Sequence, residues 1–205
     1  RPSEFRMPND ECRLVVVPDQ LQPCPYLSEA VARMPLRLPI GNVTPEITDQ
    51  MLVMGFRRSG DFVYRTQCPA CQECRPTRID VTTFRMTKSF KRVLRRCAYR
   101  SFLADSCCQT RELSIWKDSE LIAVSIVDLG RESTSAVYTH FRPEYSRYSL
   151  GTYAVLKQIE WARATDRRYV YLGMYVAENQ HLNYKSRFKP QQRLIDGQWI
   201  DFDKG

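Results

Sequence analysis

The stretch that decides the fold runs from Tyr148 to Pro190, YSLGTYAVLKQIEWARATDRRYVYLGMYVAENQHLNYKSRFKP. In its first half Leu150, Val155, Leu156, Ile159 and Ala162 recur near the 3.6-residue period, which predicts an amphipathic helix. Ser149 stands where a capping hydroxyl would serve, and Gly151 lets backbone or a ligand come close. In its second half Val170, Leu172, Met174 and Val176 alternate with Tyr169, Tyr171, Gly173 and Tyr175. That is the period of a strand with one aliphatic face and a tyrosine ladder, interrupted at Gly173, on the other. A helix that opens on a Ser/Gly turn and returns into such a strand offers backbone N–H groups to an anion and aromatic rings to a base or polar substrate. An ordinary buried helix–strand unit carries the same pattern.

Working outward, Glu112 to Lys117, Leu121 to Asp128 and Ser135 to His140 read as three strands, with turns at Asp118-Ser119 and Gly130-Arg131-Glu132. They form an antiparallel meander that feeds the helix, and Gln198 to Phe202 reads as a short closing strand. Toward the N-terminus, Thr77 to Val81 and Asp61 to Tyr64 read as strands. Thr44-Pro45-Glu46 opens a helix that continues through Ile47, Met51 and Met54 to a glycine cap at Gly55. Glu11 to Pro18 holds an apolar strand, and the proline-interrupted segment from Ser28 to Ile40 reads as irregular. Residues Arg1 to Arg6, ahead of Met7, look like a vector remnant and are set aside. The alternating signals alone predict a mixed α/β class.

The 205 residues suffice for one sizeable domain or two small ones sharing a sheet. No apolar run approaches the ~20 residues of a membrane span, and no secretory signal is visible. The formal charge of +8 points to a polyanionic partner. It is concentrated after Thr87, a helix cap, where Lys88, Lys91, Arg92, Arg95 and Arg96 fall on one face while Phe90, Val93 and Leu94 point elsewhere. A solvated face would mix signs to gain i,i+4 pairs, so a face with no acid on it is better explained by a phosphate backbone lying against it.

Eight cysteines without a secretory signal argue for a reducing compartment, by default the cytoplasm. Cys68-Pro-Ala-Cys71-Gln-Glu-Cys74 has the bite of a metal site, with metal-free packing, zinc and an iron–sulfur cluster all open. Arg57 and Arg58 sit at a turn, where a guanidinium meets a carboxylate or phosphate with two parallel hydrogen bonds. The only histidines, His140 and His181, lie near no nucleophile motif, so the chain lacks a hydrolase triad pattern.

Several of these blocks together resemble the aminoacyl-tRNA–protein transferase family, whose members attach arginine or leucine to protein N-termini. The matching residues are Cys24-Pro25-Tyr26-Leu27, then Gly55-Phe56-Arg57-Arg58-Ser59-Gly60-Asp61-Phe62-Val63-Tyr64-Arg65 leading to Cys68-Pro69. Ser149-Leu150-Gly151-Thr152-Tyr153 follows, then Tyr171-Leu172-Gly173 with Tyr175, Tyr184-Lys185 and Phe188-Lys189-Pro190. In order and spacing they cover most of the chain, and they look most like the bacterial aspartate/glutamate leucyltransferase branch. The resemblance implies a GNAT-like acyltransferase fold with an N-terminal cysteine-containing subdomain. Its expected parts are residues 7–83 and a catalytic domain at 84–205, with the basic helix 87–96 near the junction. It also places Cys24 beside the three-cysteine run, so that Cys24, Cys68, Cys71 and Cys74 become the candidate zinc or iron–sulfur ligands. Two departures stand out: the family carries a further helical stretch where this chain passes from Arg96 almost directly to Tyr99, and His181-Leu182 replaces a Lys-Met pair.

Transfer from an aminoacyl-tRNA ester needs no covalent protein nucleophile and no cofactor. The enzyme must hold the acceptor α-amine neutral, place it on the carbonyl and stabilise the oxyanion. The expected catalytic residues are Tyr171, Tyr175, Glu178 and Lys185, the tyrosines orienting the amine or terminal adenosine. His181 is more simply a polar loop residue. Arg57, Arg58, Lys185 and Arg187 are the cations to select an acidic N-terminal side chain on the acceptor protein. Ser59, Ser149, Gly151, Tyr153 and Gly173 complete the substrate site, and Lys88, Lys91, Arg92, Arg95 and Arg96 the tRNA site. An arginyl pocket needs a buried acid, for which Asp128 and Glu160 are candidates, whereas a leucyl pocket needs only apolar walls. Arginyl transfer, a CoA-dependent N-acetyltransferase and a non-catalytic zinc-containing RNA-binding module are the competing readings. Against the acetyltransferase, the segment before Gly151 lacks the second glycine of a pyrophosphate turn.

Overall fold

The structure is a computed structural model and describes residues 5–6, 12–17, 19–95, 98–104 and 106–203. Its N-terminal part contains β1 (Phe5–Arg6), β2 (Cys12–Val16), β3 (Leu21–Pro23), β4 (Val31–Arg33) and β5 (Leu36–Gly41). Helix α1 (Pro45–Val53), β6 (Arg57–Ser59), β7 (Phe62–Tyr64) and β8 (Arg75–Asp80) follow. After α2 (Lys88–Leu94) come β9 (Ala98–Ala104), β10 (Thr110–Lys117), β11 (Glu120–Leu129) and β12 (Ser133–Phe141). A 3-10 turn at Pro143–Tyr148 leads into α3 (Leu150–Ala164) and β13 (Tyr169–Tyr175). A second 3-10 turn, Asn183–Arg187, precedes the hairpin of β14 (Gln191–Ile195) and β15 (Gln198–Phe202).

The helix starts follow their local chemistry. Thr44 Oγ1 accepts from Ile47 N and Thr87 Oγ1 from Phe90 N, each satisfying an N–H that the first helical turn leaves open. Ser149 departs from expectation. It takes the left-handed conformation at φ 55° and its hydroxyl makes no capping bond, so the first-turn N–H groups of α3 lack that cap. The segment expected to be irregular instead pairs: β4 with β3 in a two-stranded ribbon and β5 with β2 in a five-stranded sheet ordered β1-β2-β5-β7-β6.

An eight-stranded sheet, ordered β15-β14-β8-β13-β12-β11-β10-β9, forms the body of the chain. The meander appears as β10, β11 and β12, while β8, from the N-terminal side of the anticipated boundary at residue 83, sits between β14 and β13. Helices α2 and α3 cover one face, where Leu150, Tyr153, Leu156, Ile159, Val170 and Leu172 form the main core with Phe90 and Phe188. The N-terminal part packs on the other face. Asp49 of α1 bonds Ser133 Oγ and accepts from Glu132 N at 2.8 Å, and Trp199 Nε1 donates to Val53 O at 3.1 Å. Gly130 permits this docking, because a Cβ there would overlap the Asp49 carboxylate.

One pairing determines where a site opens. Strands β12 and β13 are the parallel pair of the sheet, and they stay paired only over Ser133–Ser135 and Tyr169–Tyr171. Just beyond, both ladders shift register, between Ala136 and Tyr138 on β12 and between Tyr171 and Gly173 on β13. An extra residue in a strand bends it and ends its pairing. With one such residue on each strand, the two part and leave a wedge in the middle of the sheet.

Candidate active site

The wedge is the mouth of a cleft of about 710 Å³. Its walls are β12 from Ala136 to Phe141, the start of α3 at Ser149 to Thr152, Leu172 of β13, and Tyr184 and Lys185 of the second 3-10 turn. Apolar side chains and hydroxyls dominate, and among the described residues no aspartate or glutamate lines it.

At its inner end Lys185, which lines the cleft, meets Arg57, which lies behind the lining. Arg57 comes from the N-terminal side on β6, is 7% exposed, and donates to Ser135 Oγ at 3.1 Å and to Ala136 O at 2.7 Å. Lys185 comes from the α3 side, is likewise 7% exposed, and donates to Met174 O at 2.6 Å. They converge on Gly173: a Cβ there would lie 3.1 Å from Arg57 Nη2 and 3.5 Å from Lys185 Nζ. The glycine also holds φ +87°, a conformation that other residues enter at a cost. Burial, and then the charge of Arg57, push the Lys185 amine down from 10.5 to about 7. Neither cation is bonded to a carboxylate among the described residues, although a buried charge normally keeps a partner.

The other expected residues divide. Arg58 is not available to a ligand: its Nε binds Asp128 at 2.7 Å, and Asp128 also accepts from Thr110 Oγ1 at 2.7 Å. Asp128 is thereby committed as well, and Glu160 pairs with Lys157. Ser149 and Gly151 line the cleft, whereas Tyr153 is fully buried in the core behind it. Ser59 lies on a separate hollow of about 360 Å³, and Glu178 is exposed and outside the lining of the main cleft.

The tyrosine ladder is split. Tyr171 accepts from Arg78 Nη1 at 3.0 Å and packs edge-on to Trp199, and burial pushes its phenol up to about 12. Arg78 also binds Gln192. Tyr175 instead lies 3.7 Å beneath the guanidinium of Arg193, the neighbour of Gln192 and so on the opposite sheet face. The irregularity between Tyr171 and Gly173 reverses the in–out alternation, so the two phenols do not share a site.

On α2, Lys88, Lys91, Arg92 and Arg95 are exposed while Phe90 and Val93 are buried, as the helical spacing predicts. Arg96 lies outside the described residues. Exposed Arg187, expected at the acceptor pocket, stands 6.0 Å from the Phe90 ring and so extends the basic helix toward the turn that carries Lys185. The four cysteines of the anticipated metal site share one neighbourhood. Burial, with Cys24, Cys68 and Cys71 close by, pushes the Cys74 thiol up to about 12. Still, no group of three His, Cys, Asp or Glu that could hold a metal ion occurs among the described residues. The thiols are chemically apt for zinc or iron–sulfur, and aminoacyl transfer needs neither.

Sequence reasoning missed Ser135, Ala136 and the rest of the β12 edge as parts of the site. Nothing local marks them; they matter because Arg57, 78 residues away from Ser135, lands on them.

A buried amine poised near neutrality thus sits beside a fixed cation, next to an open cleft. The chain belongs to the arginine-tRNA-protein transferase family, an enzymatic family of aminoacyltransferases. The model of the family's N-terminal part matches residues 22–92 and that of its C-terminal part residues 82–195. Aspartate/glutamate leucyltransferase of Acinetobacter baylyi is 35% identical over 86% of this chain and 80% of its own length. The enzyme of that name from Saccharophagus degradans is 36% identical over 88% and 93%, and the one from Chromobacterium violaceum 33% over 89% and 92%. The first alignment runs over 216 positions, more than the 205 residues of this chain, so the relative carries a stretch with no counterpart here. No helix among the described residues is long and apolar enough to cross a membrane.

Proposed function

We propose that the protein transfers leucine from leucyl-tRNA to the α-amine of proteins that begin with Asp or Glu. The observation that carries this reading is buried Arg57, which meets the Lys185 amine at Gly173 and is bonded to no carboxylate among the described residues. An acidic first residue on the acceptor supplies the missing anion, and a charge-assisted pair out of water favours it over a neutral side chain. The absence of acid from the cleft lining favours leucine over arginine as the transferred group, since a guanidinium there would be desolvated unpaired.

The donor ester is already activated, so the chemistry is aminolysis. The α-nitrogen bonds to the ester carbonyl carbon, the carbon–oxygen bond to the ribose breaks, and that oxygen leaves with a proton. Lys185, neutral in a substantial fraction near pH 7, takes the proton that the acceptor ammonium must shed. Arg57 holds the carboxylate. Leu150, Gly151 and Thr152 at the start of α3 line the cleft, and their backbone N–H groups, uncapped by the Ser149 hydroxyl, suit the developing oxyanion or a terminal phosphate. The α2 face with Arg187 receives the tRNA backbone. No cofactor takes part.

The order meander, helix, strand, with two strands parting in mid-sheet, supports a GNAT-like acyltransferase fold. The added leucine would mark acceptor proteins for degradation by the N-degron route, in the cytoplasm where charged tRNA is made. A transfer assay crossing leucyl- and arginyl-tRNA with peptides that begin Asp, Glu, Arg and Ala tests the reading. Leucine should appear on the Asp and Glu peptides alone; transfer of neither amino acid to any peptide removes it.

A further inference from the structure

We propose that the acceptor polypeptide binds by adding itself as a strand to the open inner edge of β12, with its acidic first side chain at Arg57 and its α-amine at Lys185. This rests on the functional reading above and says how the rest of the acceptor is held. The pairing of β12 with β13 ends at Ser135. From Ala136 to Phe141, β12 keeps β11 on one side and borders the cleft on the other. The corresponding edge of β13 is taken up by its own turn, through Lys185 Nζ on Met174 O. On β12 Arg57 binds Ala136 O, and among the described residues none of the main-chain hydrogen bonds outside the regular ladders involves residues 137 to 141. A strand edge inside a sheet, rather than at its rim, is costly to leave without partners.

Of the two substrates, only the polypeptide suits this edge. It alone presents N–H and C=O groups repeating at strand spacing, whereas the aminoacyl ester offers a single carbonyl. Charge supplies the polarity: the cations lie at the Ala136 end, so the acceptor's N-terminus points inward and the chain runs out toward Phe141. At about 3.3 Å per residue, that edge has room for roughly three to five acceptor residues. Along it Tyr138 presents an exposed ring, 61% accessible and stacked at 6.1 Å on His140, ready to pack against an acceptor side chain on that sheet face.

The test is a set of Asp-initiated peptides, each with one main-chain amide N-methylated, at positions two to six, assayed for leucyl transfer with the intact enzyme. Strand addition predicts an alternating pattern: at every second position KM rises about fivefold or more, and at the positions between it stays within about twofold. Uniform KM values across the set, or an equal rise at every position, overturn strand addition while the functional reading stands. If the unmethylated peptide accepts no leucine, the functional reading fails and takes this inference with it.

Discussion

Replacing Lys185 with methionine should stabilise the fold at pH 7 and stop catalysis. In the unfolded chain the amine holds its proton up to 10.5, whereas in the fold burial and Arg57 make it release that proton at about 7. Between these values the unfolded state binds more protons, so stability rises with pH through the window and is level below it. At about 1.4 kcal/mol per pH unit, the amine costs the native state about 5 kcal/mol at pH 7 compared with pH 10.5. Methionine removes that cost and forfeits the bond to Met174 O, worth about 1 kcal/mol. The variant should therefore gain up to about 4 kcal/mol at pH 7, with the gain shrinking steadily toward pH 10. Urea melts of both proteins at pH 7, 8, 9 and 10 measure this as a difference, in which groups common to both cancel. Leucyl transfer should fall at least ~100-fold through loss of the proton acceptor. Two parallel stability curves, equally far apart at pH 7 and pH 10, would refute the depressed amine and with it the assigned base.

Gly173→Ala should lose transfer activity at a cost of about 1–3 kcal/mol in stability, because its Cβ crowds Arg57 at 3.1 Å and φ is +87°; thermal melts and a transfer assay on the same preparation separate the two effects. Gly130→Ala should destabilise by about 2–4 kcal/mol, since its Cβ displaces the Asp49 carboxylate from Ser133, and urea denaturation reads it directly. Reversing Lys91, Arg92 and Arg95 to Glu should weaken tRNA binding and flatten its dependence on salt with little change in melting temperature, all three being exposed; an unchanged salt slope would place the RNA elsewhere. Arg78→Met should cost about 2–4 kcal/mol by emptying the slot where its guanidinium lies 3.9 Å from the Tyr169 ring and 4.2 Å from that of Trp199, beside Gln192.

Residue types and their periods settled a good deal by themselves. The apolar stripe from Leu150 to Ala162 specified α3, the alternation around Val170 specified β13, and Thr44 and Thr87 marked helix starts through hydroxyls that serve only their own first turn. The basic face of α2 was equally legible, since helical spacing alone separates Lys91 and Arg92 from Phe90 and Val93. These are local features, decided within a few residues by backbone geometry. Which arginine would be buried beside the amine was not local: Arg57 and Arg58 are neighbours in the chain, but one reaches Ser135 and the other Asp128, each 70 or more residues away. Nor did the alternation of tyrosines survive in space, because one extra residue before Gly173 reverses the facing of everything after it, and a bulge has no signature apart from the strand it is paired with. Composition and period thus determined the elements and the exposed basic face of α2. Tertiary structure decided the site, because the wedge and its two cations exist only where strands distant in sequence part and side chains from both faces of the sheet arrive at the same glycine.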